Sequence, residues 1–158
     1  MNEWIPGAVA AAALVLTSAV LLAQATGSGA PAGGADGVIY MPAEKIDAAF
    51  AKGSPILETG TFKILAGRRD KDGQPEVHAR DTDIFHVLEG TATLVTGGSV
   101  TGGKNISADE IRGDTIEAGT PHKLAKGDVI VIPSGVPHQL KDVRPPFLYY
   151  VVKVTAKN

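Results

Sequence analysis

The sequence predicts an all-β domain carrying one short helix. Three observations point there. From residue 55 to residue 155, apolar runs of strand length rich in Val, Ile, Thr and Tyr recur between Gly, Pro and Asp turns. Only one stretch of that domain shows sustained helical periodicity. Many short strands with little helix pack as a sandwich or a barrel.

Taken in order, the chain opens differently from how it continues. Residues 5–23 are apolar apart from Thr17 and Ser18, and Ala23-Gln24-Ala25 matches a small-x-small cleavage pattern, so residues 1–25 are expected to be an export signal cut after Ala25. No Lys or Arg precedes the apolar run, Glu3 opposes the α-amino charge, and the run approaches bilayer-spanning length. An uncleaved membrane anchor is therefore the alternative. The expected location is periplasmic or extracellular, with membrane contact only through residues 5–23. Residues 26–37, rich in Gly, Ala, Pro and Ser, read as a flexible linker, and residues 38–158 as a single domain.

Within the domain, residues 38–41 are extended. Residues 42–53 form an amphipathic helix with Pro42 near its start, Glu44 in the first turn, Lys52 in the last and Gly53 past the end. Strands are expected at 56–59 and 61–66, a charged turn at 68–74, a strand starting at 76–78, an interruption at Asp81-Thr82, and a strand at 83–88. Glu89-Gly90 is read as a turn into a strand at 91–96. Residues 97–119, Gly-rich and polar, are read as a long loop with one helical turn at 108–111. Strands follow at 129–132 and 147–155.

The chain has 158 residues, a formal net charge of −2 and no cysteine. Disulfides, a thiolate site and a lipidated cysteine are excluded. With no basic excess and nothing resembling a helix-turn-helix, nucleic-acid binding is not expected.

Two stretches carry the candidate chemistry. The first runs Glu76-Val-His78, then Asp83, then Gly90. The second has Gly127, Pro133, Gly135, His138 and Asp142, with an apolar strand before Pro133 and another strand after the Pro133–Pro137 turn. The second stretch resembles the second motif of the cupin family at every spacing, with Asp142 where that motif has Asn. The first resembles the family's first motif, with Glu76 at its first His, His78 at its second, Asp83 at its Glu and Gly90 at its Gly. The resemblance implies a double-stranded β-helix, a jelly-roll barrel.

In such a barrel Glu76, His78, Asp83 and His138 converge from neighbouring strands and offer two imidazoles and two carboxylates to a divalent cation. Fe, Mn, Ni and Zn all accept such nitrogen and oxygen donors. Asp83, one methylene shorter than Glu, is either a ligand or a partner that holds a ligating imidazole. Glu76 is either a ligand or an acid/base group. His122, two residues before Leu124, is a candidate third imidazole or base, the alternative being an exposed loop histidine. His86 lies on the face opposite Asp83 and is expected to be structural or at an interface. Asp142 is placed near the pocket mouth by analogy only.

Two functions compete. One is a metal-dependent enzyme of dioxygenase, isomerase or lyase type acting on a small organic substrate. The other is a non-catalytic cupin that binds a small molecule or a metal. In the closing strand Leu148, Tyr150, Val152 and Val154 form one face, and Phe147, Tyr149 and Val151 the other, with Lys153 at its far end. A strand with one wet face should alternate apolar and polar. This one does not, so a homodimer covering the outer face is expected, the alternative being cover within one chain by the segment around Val38 and the helix.

Overall fold

The computed structural model describes residues 37–157. The expected signal and most of the linker lie outside the described residues. Among the described residues, no helix is long and apolar enough to cross a membrane.

Helix α1 (Ala43–Lys52) precedes the strands β1 (Pro55–Glu58), β2 (Phe62–Arg69), β3 (Glu76–His78), β4 (Asp81–Thr96), β5 (Ser99–Thr101), β6 (Lys104–Ser107), β7 (Glu110–Arg112), β8 (Thr115–Glu117), β9 (Thr120–Leu124), β10 (Val129–Ile132) and β11 (His138–Thr155). Every strand pairing is antiparallel. β4 and β11 are the spine. The first half of β4 pairs with β10 and with the last part of β11, which continues to β2 and β1. The second half of β4 pairs with β9 and with the first part of β11, whose His138 also pairs with Glu76 of β3, leading on to β7 and β6. Both long strands thus belong to two layers that curl over one core.

Each long strand must bend to do this. Gly90, at φ +78°, sits in the middle of β4, and a Cβ there would collide with the carbonyl oxygens of Pro146 and Arg144. Opposite it, β11 shifts register between Lys141, Arg144 and Leu148, around Pro145 and Pro146, which donate no N–H. Glu89-Gly90 is therefore a bend inside one strand and not a turn between two. Asp81-Thr82 likewise belongs to β4 and does not interrupt it, because Thr82 and Asp81 pair with Val154 and Thr155.

The expected long loop at 97–119 is also corrected. It holds four short strands, with β5 pairing β8 and β6 pairing β7, and residues 108–111 form no helical turn. Their apolar content is small because most of their side chains remain partly or wholly exposed. Hydropathy therefore carries little signal there.

The core lies between the layers and is built from Phe85, Val87, Leu94, Leu124, Ile132, Leu140, Phe147, Tyr149 and Val151, among others. The rings of Phe85 and Tyr149 stack at 4.7 Å. The inward row of β11 is thus Phe147, Tyr149, Val151, and the period of two carries Lys153 inward as well. On the outer face α1 packs through Phe50, edge-on to Tyr150 at 5.0 Å. Gly53 caps the helix at φ +62°. Val129, Val131 and Val154 stay exposed.

Candidate metal centre

β3 supplies Glu76 and His78, which share a face because they are two residues apart. β4 supplies Asp83, on the inward row with Phe85 and Val87. β11 supplies His138 from its first residue and Lys153 from near its end, where Lys153 is the Cα partner of Asp83. These groups line a cavity of about 410 Å³ together with Arg69, Arg112 and Tyr149.

His78 Nε2 lies 3.3 Å from Glu76 Oε2 and 3.6 Å from Asp83 Oδ2. His138 Nε2 lies 4.0 Å and 3.8 Å from the same two oxygens. Two donors on opposite sides of one ion, each at about 2.1 Å, stand at most about 4.2 Å apart, so the separations of both imidazoles from Glu76 are within reach of a single divalent cation. A ligand atom from each of Glu76, His78 and His138 lies within 4.8 Å of the others.

His138 is prepared for that role. Its Nδ1 donates to the Val136 carbonyl at 3.1 Å, which leaves the lone pair on Nε2. Burial pushes its pKa down, outweighing the carboxylates beside it, and favours the neutral ring. Nε2 is buried without a hydrogen-bond partner among the described residues, and so is Asp83 Oδ1. Gln139 Oε1 is the third such atom, and all three residues line the one cavity; buried polar atoms are normally paired, so these orphans mark a place for a ligand or ion.

Glu76 divides its two oxygens. Oε1 accepts from Arg112 Nη1 and, at 3.4 Å, from Arg69 Nη2, while Oε2 faces the histidines. Arg112 is itself held by Glu110 Oε1, 2.6 Å from Nε. Arg69 Nε donates to the Tyr149 hydroxyl at 3.4 Å. That hydroxyl is buried, which raises its pKa and keeps it protonated. A Cβ on Gly67 would strike the Tyr149 ring, so a glycine is needed where the ring crosses β2. Burial alone would raise the Glu76 pKa. The His78 hydrogen bond and the charges of Arg112, of His138 once it is protonated at acid pH, and of Arg69 outweigh it and hold the carboxyl down at about 2. A group this acidic is a poor general base at neutral pH and a good anionic ligand.

Lys153 was not singled out for chemistry by the sequence reading. Its Nζ lies 2.5 Å from Asp83 Oδ2 and 2.8 Å from His78 Nε2. Asp83 is therefore an ion-pair partner inside the donor cluster. Arg69 and Arg112 also escaped the sequence reading. The signal available for Lys153 was its alternation with Tyr149 and Val151. The arginines carried none, since Arg69 follows Arg68 in a charged run and Arg112 lies in the segment read as a loop.

The structure does not bring His122 to this cluster. It is exposed on β9, with Nε2 2.9 Å from Thr96 Oγ1, and it faces a separate depression lined by Ile130, Val131 and Val136. It therefore supplies neither a third imidazole nor a base to the cavity. His86 is exposed on the outer face of β4. Asp142 is exposed, outside the cavity lining, at φ +52°. Asn and Asp both tolerate the left-handed conformation, so Asp serves the backbone there as Asn would.

The family model described as Cupin matches residues 36–158. Among solved structures, the chain is similar to BH2720 from Bacillus halodurans, at 11% identity over 75% of this chain and 83% of that chain, with a TM-score of 0.52. It is also similar to an uncharacterized conserved protein with a double-stranded β-helix domain from Klebsiella pneumoniae, at 18% identity over 74% and 89%, with a TM-score of 0.51. These likenesses concern the fold. No curated protein matches the sequence.

The Glu76 carboxylate gives a pH prediction. Its folded pKa lies below the ordinary value of 4.5, so its ionised form contributes stability that is complete above pH 4.5 and is lost as pH falls toward about 2. In urea titrations across that range, the stability margin of the wild type over Glu76→Gln should shrink as pH falls. A margin that stays constant would contradict the assignment.

Proposed function

Because the chain belongs to the cupin family, matched from residue 36 to residue 158, we propose that it is an exported, metal-dependent cupin enzyme acting on a small organic substrate. The observation that carries this reading is the orphaned, buried Nε2 of His138, set with His78 and Glu76 in the wall of a cavity large enough for a small molecule. His78, His138 and Glu76 would hold the ion, drawn from Fe, Mn, Ni and Zn. A bound divalent ion supplies Lewis acidity to a carbonyl or, as Fe(II) with open positions, a place for O2, which spans isomerase, lyase and dioxygenase chemistry.

The remaining work falls to the chain. Arg112 and Arg69 fix the Glu76 carboxylate by its other oxygen, so it cannot rotate away from the histidines. The Val136 carbonyl fixes the His138 ring and its tautomer. The core rings of Phe85 and Tyr149 wall the cavity and limit water. With Glu76 held at about 2 and His122 elsewhere, neither is assigned as the base.

A second reading, a cupin that binds a small molecule without turnover, is favoured by one observation. Lys153 already balances Asp83 and contacts His78, so the cavity is charge-compensated without an ion. Metal content separates the two. On the enzyme reading, protein purified without added metal carries close to one ion per chain, and His78→Ala and His138→Ala each abolish it, since losing a ligand costs more than the roughly 10–100-fold of an outer partner. His86→Ala retains the ion. Equal metal content in all three variants rejects the site.

Export and dimerisation are part of the same proposal. Ala23-Gln24-Ala25 supports cleavage, and the exposed Val129, Val131 and Val154 on the outer face support a homodimer. Protein recovered from the native host should have an intact mass beginning at Thr26 and sediment as a dimer. A mass retaining Met1 would favour the anchor, and a monomer would assign the outer face to another role.

A further inference from the structure

Lys153 is out of place for a core strand. The inward row of β11 is Phe147, Tyr149 and Val151, each buried, and the next inward residue is a lysine whose side chain is only 15% exposed. Its stem continues the apolar row and its ammonium enters the donor cluster. There it touches Asp83, whose side chain is 2% exposed, and also the nitrogen His78 would offer a metal. An ammonium has donors only, so in the neutral tautomer protonated on Nδ1 His78 Nε2 accepts from Lys153, an exclusive alternative to the protonated ring that donates to Glu76 Oε2 at acid pH. One lone pair cannot serve an N–H and an ion together.

We propose that Lys153, anchored on Asp83, is a tethered cation that competes with the divalent ion for His78, and so sets how tightly the centre binds metal. This rests on the metal centre proposed above. In metal-free protein the ammonium compensates the buried Asp83 carboxylate and holds His78 in register. When an ion enters, the Nζ–His78 contact must break, because the ion takes the lone pair and repels the ammonium at short range. Asp81 lines the same cavity, accepting from Thr155 Oγ1 and paired with Lys63, and it offers the displaced ammonium a second carboxylate. The arrangement differs from an ordinary buried ion pair in one checkable way. A purely structural lysine would leave metal affinity unchanged or support it, whereas a competitor weakens it.

The test is calorimetric titration of chelator-stripped protein with Mn(II), comparing the wild type with Lys153→Met and Lys153→Arg. Lys153→Met should bind Mn(II) at least about tenfold more tightly, while Lys153→Arg, which keeps the charge, should not gain. Metal-free Lys153→Met should melt below the metal-free wild type, because Asp83 loses its partner, and Mn(II) should raise its Tm by more than it raises the wild type's. To guard against misfolding from an uncompensated carboxylate, the same comparison is made between Asp83→Asn and Asp83→Asn/Lys153→Met, where the double variant should again bind more tightly. Equal or weaker Mn(II) binding without the lysine overturns the competition and leaves the metal centre standing. Absence of Mn(II) binding in every protein, wild type included, overturns both.

Discussion

The antiparallel pairing of β4 with β11 is the constraint on which the rest depends. It runs from His138 opposite Thr96 to Thr155 opposite Asp81, so two strands far apart in sequence are locked along nearly their whole lengths. Neither strand is flat. Gly90 lets β4 turn where the β11 backbone crosses close to it, and the prolines of β11 surrender their pairing at the same place. A side chain at Gly90 would meet backbone, which cannot swing aside. The bend converts one ladder into two facing layers, and the facing layers create the cavity. Because β11 returns across both layers, its two ends deliver His138 and Lys153 to one place, fifteen residues apart in the chain.

The centre is a problem in charge compensation. Glu76 and Asp83 are both removed from water, and an isolated buried carboxylate is costly. The protein resolves the two differently. Glu76 is clamped from outside by Arg112 and Arg69, whose guanidinium groups stay partly exposed and stand away from the histidines. Asp83 is compensated from inside by Lys153, among the donor atoms themselves. The first arrangement orients a ligand without obstructing it. The second occupies part of the space an ion needs. On the proposed reading, the metal affinity of this site depends on the cost of moving one ammonium.

The sequence revealed much of this where local chemistry is strong. Pro133, Gly135 and the β-branched run before them mark a strand and tight turn at fixed spacing, so His138 was identifiable, as was the strand pair Glu76–His78. The helix was visible because its caps and periodicity agree. Elsewhere local chemistry misled. Gly90 after Glu89 looks like a hairpin turn, and only the approach of β11 shows it to be a bend. Residues 97–119 lack apolar alternation because β5–β8 lie at the surface, and their pairing is set by backbone hydrogen bonds that leave no compositional trace. His122 shares strand parity with Leu124, yet parity does not say which end of a strand reaches the cavity. Lys153 was visible as the last inward residue of its strand, but its contacts with His78 and Asp83 depend on the register of β11 against β4, which spans about seventy residues of chain.

If the buried donors form a metal centre, an ion entering it must displace the Lys153 ammonium. Anomalous diffraction from crystals of the protein loaded with Mn(II) tests it most directly. One strong peak is expected, bounded by Glu76 Oε2, His78 Nε2 and His138 Nε2, with Lys153 Nζ moved out of hydrogen-bonding distance of His78. A peak on other residues, or an ion bound there with Lys153 still hydrogen-bonded to His78, would contradict it.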